Sequence, residues 1–241
     1  MNEVIQQLFD RKSVRVFTDQ EISCEDKNLI LESAVQAPTA GNQQLYTIID
    51  VTDKKLKDTL ADTCDHQPFI AQAKMVLIFC ADYQKWYDAF TQTECEPRTP
   101  GAGDLMLAVN DAVIAAQNAV VAAESLGIGS CYIGDIMENC EVHRELLHLP
   151  EFVFPTAMLV FGYPTQQQKD RKKPLRVDMK HVVHENAYRR MDANELEEMF
   201  SKNLTGRSYV EFMQMYGKRK YNSDFAKEMS RSVWKYLEKY E

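Results

Sequence analysis

The sequence predicts an α+β fold organised around one long, buried helix. Three observations carry this reading. Four short segments rich in β-branched and aromatic residues read as strands, helical patterns separate them, and one apolar segment, Asp104 to Leu126, is the longest helical pattern in the chain. With 241 residues, 45% of them hydrophobic, the chain is long enough to bury a full core.

In chain order, Ser23 and Asp26 open a helix over Lys27 to Gln36, where Leu29, Ile30, Ser33 and Ala34 recur at helical spacing, and Ala37-Pro38 ends it. Leu45 to Val51 reads as a strand, and Asp53 is placed to cap a short helix through Leu60. Met75 to Ala81 is continuously apolar, as expected of a strand buried on both faces. Ser130 to Ile133 and Phe154 to Phe161 complete the strands.

The polar residues of the long helix fall into two series with seven-residue spacing: Asp104, Asp111, Asn118 and Ser125, then Asn110, Gln117 and Glu124. They predict one narrow polar stripe on a helix otherwise covered, either between a sheet and a partner subunit or inside a monomer's core. A membrane span is disfavoured, because Asp111, Gln117, Asn118 and Glu124 make insertion costly. After Pro164 the run Gln166 to Lys173 is polar and basic without an apolar period, the pattern of a surface arm. Helical patterns at Asn194 to Phe200 and Phe225 to Tyr240 follow, so the expected division is a core over 1–190 and a helical tail over 191–241.

A net charge of −8 argues against a general nucleic-acid or membrane-surface binder. The opening Met1 to Gln7 is polar and acidic, without the basic start and apolar run of a secretory signal, and a cytoplasmic location is expected. The six cysteines have no C-x-x-C spacing and read as reduced packing residues, with one reactive thiol as the alternative. His143, His148, His181 and His184 lack metal-ligand spacing, so no metal is expected. His66 receives no role.

Two clusters carry chemistry. Arg11-Lys12-Ser13-Val14-Arg15 sets three cations and a hydroxyl within five residues, and in an extended segment Arg11, Ser13 and Arg15 point the same way. Such a cluster is either an anion grip or a solvated surface. Ala37 to Gln44, reading APTAGNQQ, combines a helix breaker, a glycine that admits close approach and a run of amides. It suits a flat heterocycle, or it is a helix-to-strand turn with incidental amides.

Taken together these segments resemble a known family. Arg11-x-Ser13-x-Arg15-x-Phe17 resembles the opening motif of the nitroreductase and flavin reductase superfamily, and Ala37 to Gln44 resembles its flavin loop. Asp111 to Gly134 resembles the family's central helix and following strand, Phe161-Gly162-Tyr163-Pro164 its strand end, and Val182-Val183-His184 the start of its tail. The five motifs stand in the family's order over roughly residues 4–190, and chain length and the surroundings of Gln67 are most similar to the larger, NADPH-preferring, oxygen-insensitive subgroup.

The resemblance implies a mixed, mainly antiparallel sheet flanked by helices, with the long helix at a homodimer interface. It implies FMN as cofactor, NADPH or NADH as electron donor, and small acceptors such as nitroaromatics, quinones or flavins, reduced by ping-pong transfer with no protein nucleophile. By resemblance Arg11 and Ser13 belong to the FMN phosphate site, and Lys12, from the same cluster, is counted with the cofactor-binding residues. Arg15 lies beside the pyrimidine side of the ring, where a cation stabilises the negative charge that reduction leaves. Thr39, Gly41, Asn42 and Gln44 are ring and ribityl contacts, Gln67 is a ring contact from the second subunit, and Ile133 and Gly134 are backbone positions near the reactive edge. The family often has Lys-Pro-Arg in the arm, whereas here Lys172-Lys173-Pro174-Leu175-Arg176 displaces the lysine by one residue, leaving Lys173 and Arg176 to complete the phosphate site. Arg207, in a Gly- and Ser-flanked loop, is the candidate for the NADPH 2′-phosphate. Competing expectations are a same-fold flavoprotein with another reaction, reductive dehalogenation or flavin breakdown, with residues 86–103 as a lid, and a cofactor-free binding module.

Overall fold

The computed structural model describes residues 1–240. Four strands, β1 (Tyr46–Asp50), β2 (Met75–Asp82), β3 (Gly129–Ile133) and β4 (Val153–Gly162), form one sheet in the order β1-β2-β4-β3, each neighbour antiparallel. The parallel element comes from the segment after the first helix, where Ser13 bridges Ser130 on the free edge of β3. That approach is close. A Cβ built on Gly129 falls 2.5 Å from Val14 Cγ2, so only glycine lets the Arg11–Arg15 segment lie against the sheet.

The strands β2 and β4 are buried along their whole length, as the unbroken apolar runs predict. On one face Met75, Leu77, Phe79, Leu159 and Phe161 pack with the helices α2 (Cys24–Val35) and α6 (Ala102–Ser125). On the other Val76, Ile78, Cys80, Met158 and Val160 pack with α3 (Lys54–Thr63) and α4 (Phe69–Gln72). The predicted caps are present: Ser23 Oγ accepts from the Asp26 amide and Asp53 Oδ1 from the Leu56 amide, at 2.9 and 2.8 Å. Several helices lie outside the predicted patterns, among them α1 (Glu3–Asp10) and α5 (Gln84–Gln92), the second of which covers the first part of the expected lid.

The long helix α6 (Ala102–Ser125) departs from the single polar stripe expected of it. Its two polar series do not share one environment. Asp111 is 2% exposed, and Asn118 donates to the Ser33 carbonyl at 3.1 Å, so this series faces the α2 side. Asn110 and Gln117 are exposed among Met106, Leu107, Val113 and Ile114, which are exposed as well. The helix therefore turns a polar ridge inward and leaves an apolar face outward. Its neighbour α1 likewise exposes Val4, Ile5, Leu8 and Phe9.

The remaining helices are α7 (Cys140–Leu146), α8 (Gln166–Asp170), α9 (Ala193–Phe200), α10 (Tyr209–Tyr216) and α11 (Asp224–Leu237). The chain divides otherwise than the expected boundary at 190. One unit comprises Met1–Arg171 with Glu228–Glu241, the other Lys172–Lys227. The physical reason is α11: Tyr236 and Tyr240 bury against Phe152 and Phe154 and return the end of the chain to the core. The second unit is held by its own aromatic cluster, Phe200, Tyr209, Phe212 and Tyr216, and by ion pairs such as Arg189–Glu195 at 2.7 Å. Of the six cysteines, all free thiols, Cys64, Cys80, Cys131 and Cys140 are buried and Cys24 and Cys95 exposed.

Candidate functional site

Arg11 is the C-cap of α1, so the helix end delivers its side chain beside β3, with the guanidinium carbon 5.8 Å from the Tyr132 ring centroid. Its Nε and Nη2 are buried and have no hydrogen-bond partner. A guanidinium held out of water with unused donors calls for an anion. Two residues on, the Ser13 carbonyl accepts from the Arg171 guanidinium. Lys12, counted with the cofactor-binding residues, is turned elsewhere. Its ammonium binds the carbonyl oxygens of Lys169 and Arg171, at 2.6 and 2.5 Å, the last acceptors of α8, where a cation complements the helix dipole.

Arg15 reaches the ring of Phe69, with its guanidinium carbon 5.8 Å from the centroid, and its backbone amide donates to Gln168. Gln67, two residues before Phe69, donates from Nε2 to Asp135 Oδ2 at 2.9 Å, and Asp135 follows Gly134 at the end of β3. The chain itself thus gathers Arg15, Gln67, Ile133 and Gly134 at one end of β3. Burial raises the Cys131 thiol above its ordinary value despite Arg15 and Arg11, and it remains a packing residue rather than a nucleophile. Glu138 is pushed up to about 7, first by burial and then by Asp135 and Asp65.

The loop between α2 and β1 is anchored separately, by the inward ridge of α6. Asp111 accepts from the Thr39 hydroxyl, from the Ala40 amide at 3.0 Å and from the Leu45 amide at 3.1 Å, and Thr39 Oγ accepts from the Gln44 amide at 2.8 Å. The Trp86 indole of α5 donates to the Gln43 carbonyl at 2.8 Å. Gly41, Asn42 and Gln44 have φ of +55°, +57° and +52°, a left-handed run that the Gly-Asn pair makes inexpensive. Gly41, Asn42 and Gln44 stand exposed, so the loop is rigid at its base and open at its tip.

Lys173, Arg176 and Arg207 belong to the second unit, where Arg176 donates to the Pro174 carbonyl and Arg207 to Thr205 Oγ1. Four residues with structural parts in the site had been passed over: Asp111, Asp135, Trp86 and Arg171. A carboxylate in the middle of an apolar helix is a strong signal for a buried anchor, and Asp111 carried it. Asp135, Trp86 and Arg171 carried none, since their partners are distant in sequence.

With this geometry in view, the comparisons agree with one another. A model of the nitroreductase family matches residues 8–163. An FMN reductase [NAD(P)H] of Bacillus subtilis is 34% identical over 99% of this chain and 92% of its own. An oxygen-insensitive NADPH nitroreductase of Salmonella typhimurium is 35% identical over 80% and 77%. Among solved structures, nitroreductase A of Vibrio parahaemolyticus superposes with a TM-score of 0.83 at 27% identity, over 99% of this chain and 97% of that one. The NADPH:FMN oxidoreductase of Vibrio harveyi complexed with NAD+ gives 0.78 at 27% identity, over 98% and 97%. The chain belongs to the nitroreductase family.

Proposed function

We propose that this protein is an FMN-dependent NAD(P)H oxidoreductase that reduces small electron acceptors, among them nitroaromatics, quinones and flavins, as a cytoplasmic homodimer. The observation that carries the reading is Arg11: two buried guanidinium nitrogens without partners, beside Ser13 and Arg15, in a chain of net charge −8. An anionic cofactor answers that demand, and the FMN reductase and nitroreductase relatives make FMN the candidate.

In this reading Arg11 and Ser13 hold the phosphate, with Lys173 or Arg176 from the arm completing its shell. Arg15 sets positive charge against the ring, Gln67 and the backbone at Ile133 and Gly134 fix its edge, and Lys12 fastens the arm's first turn through the α8 carbonyls. When bound, FMN supplies the redox chemistry, accepting hydride from reduced nicotinamide and returning two electrons to an acceptor. The protein's own part is placement and fixed charge. Arg207 is the residue we assign to the NADPH 2′-phosphate.

Support for the homodimer comes from the outward faces of α1 and α6. Val4, Ile5, Met106, Leu107, Val113 and Ile114 are exposed and apolar, the kind of surface a second copy covers. Arg11 caps one of these helices and the loop at Thr39–Gln44 is tied to the other, so both candidate clusters are attached to the faces assigned to the dimer. The test is flavin content of the purified protein with rates for NADPH and NADH against a panel of acceptors. Stoichiometric FMN and turnover with a nitroaromatic or quinone support the reading, and a colourless protein that neither binds FMN nor turns over ends it.

A further inference from the structure

Gln67 directs its amide nitrogen inward. Nε2 lies 2.9 Å from the Cys64 carbonyl oxygen and 2.9 Å from Asp135 Oδ2. Both partners are acceptors, so the amide has one orientation: nitrogen inward, oxygen outward. Asp135 is therefore one of the two groups that keep Gln67 in place, and the one that can change charge.

Asp135 faces Glu138, three residues on, which is 4% exposed and whose Oε1 has no hydrogen-bond partner. Further negative charge comes from Asp65, after α3, and from Glu228 on α11. Glu228 is answered by Arg231, at 2.8 Å, which also binds Glu141. Among the described residues no ion pair reaches Asp135 or Glu138: Arg231 is taken twice over, and the Glu228 carboxylate also accepts from the Asn139 amide and Ser232. Two adjacent carboxyl groups, one buried and the other half-buried, hold one proton between them more readily than two charges. Burial and these neighbours place Glu138 at about 7, where that proton exchanges near neutrality.

We propose that Glu138 and Asp135 form a carboxyl–carboxylate pair sharing one proton, a positioning device that holds Gln67 with its amide oxygen outward as a hydrogen-bond acceptor for a ring N–H of the bound flavin. The proposal rests on the flavin reading above. With the proton in place Glu138 donates to Asp135, and Asp135 accepts from Gln67. Loss of the proton sets two anions in contact and drives Asp135 off its position, which frees the Gln67 amide to turn. Flavin affinity is then coupled to one proton at this pair.

The experiment is a titration of FMN into the full-length apoprotein, followed by flavin fluorescence from about pH 6 to about pH 8, in wild type, Glu138→Gln and Asp135→Asn. The amide in Glu138→Gln donates to Asp135 without titrating. In Asp135→Asn the side-chain oxygen still accepts from Gln67 while its amide group satisfies an ionised Glu138, so it serves if the first variant does not fold. The second ionisation of the FMN phosphate, near pH 6, strengthens binding in all three proteins and cancels in the comparison. The ratio of variant to wild-type affinity is expected to rise at least several-fold across the range. A constant ratio, with tight binding in every protein, overturns the pair and leaves the flavin reading standing. Absence of FMN binding at every pH overturns both.

Discussion

Replacing Asp111 with alanine tests whether the inward ridge of α6 holds the candidate cofactor loop. The carboxylate receives the Thr39 hydroxyl and the amides of Ala40 and Leu45, at 3.0 and 3.1 Å, and it is 2% exposed. Hydrogen bonds to a charged group are worth roughly 1.5–3 kcal/mol each, and each stranded buried donor costs about 1–3 kcal/mol. Removing the carboxylate also ends its own desolvation cost, so the sum overstates the loss, and ~3–5 kcal/mol is the expected net value by analogy with a broken buried charge pair. In a chain of this size that lowers Tm by roughly 6–20 °C, at ~2–4 °C per kcal/mol. Asp111→Asn should fall between, because one oxygen still accepts while the amide group confronts a donor. Melting followed by circular dichroism, with and without excess FMN, reads the effect, and the stabilisation by FMN should shrink with it. If Asp111→Ala melts within about 1 kcal/mol of wild type, the loop is held by something else.

The other expectations concern cofactor, donor, assembly and pH. Arg11→Ala, Arg15→Ala and Arg176→Ala should each weaken FMN binding about ten- to a hundredfold, and Arg15→Ala should also lower the flavin reduction potential; equal potentials in Arg15→Ala and wild type remove Arg15 from the ring. Arg207→Ala should raise KM for NADPH several-fold with that for NADH unchanged, and equal changes for both donors end its assignment. Ile114→Glu, on the exposed face of α6, should shift sedimentation from dimer to monomer, and an unchanged dimer places the interface elsewhere. Glu138 carries a pKa raised to about 7, so the folded chain binds its proton more tightly than the unfolded one, and stability falls as pH rises from about 4.5 to about 7 and levels off above. Glu138→Gln should remove that slope, a gain of at most roughly 3 kcal/mol at pH 8 in chemical denaturation, and an unchanged slope contradicts the assignment.

The parts of the fold legible in the sequence were those with a strong local period. The run Met75 to Ala81 has no polar residue, and only a strand covered on both faces fits it; the structure covers it with α6 on one side and α3 on the other. The caps at Ser23 and Asp53 were equally plain. What misled was the polar stripe of α6. Seven-residue spacing shows that Asp111 and Asn110 lie close on the helix, but not that one meets amides and the other faces outward, because that depends on where the Thr39–Gln44 loop packs. The partner of Lys12 was hidden for a similar reason: composition counts it with Arg11 and Arg15, whereas α8, 157 residues away, claims its ammonium. Gln67 could be found by resemblance alone, and its link to Asp135 and Glu138 spans about a third of the chain with no local signal.

The central claim is that these residues hold a flavin which reduced nicotinamide can reach. Anaerobic mixing of the purified, FMN-loaded protein with NADPH, followed in the flavin absorption band, tests it most directly. The account predicts rapid and complete bleaching, with colour restored on adding a quinone or nitroaromatic. A bound flavin that keeps its colour under excess NADPH and NADH alike would contradict it.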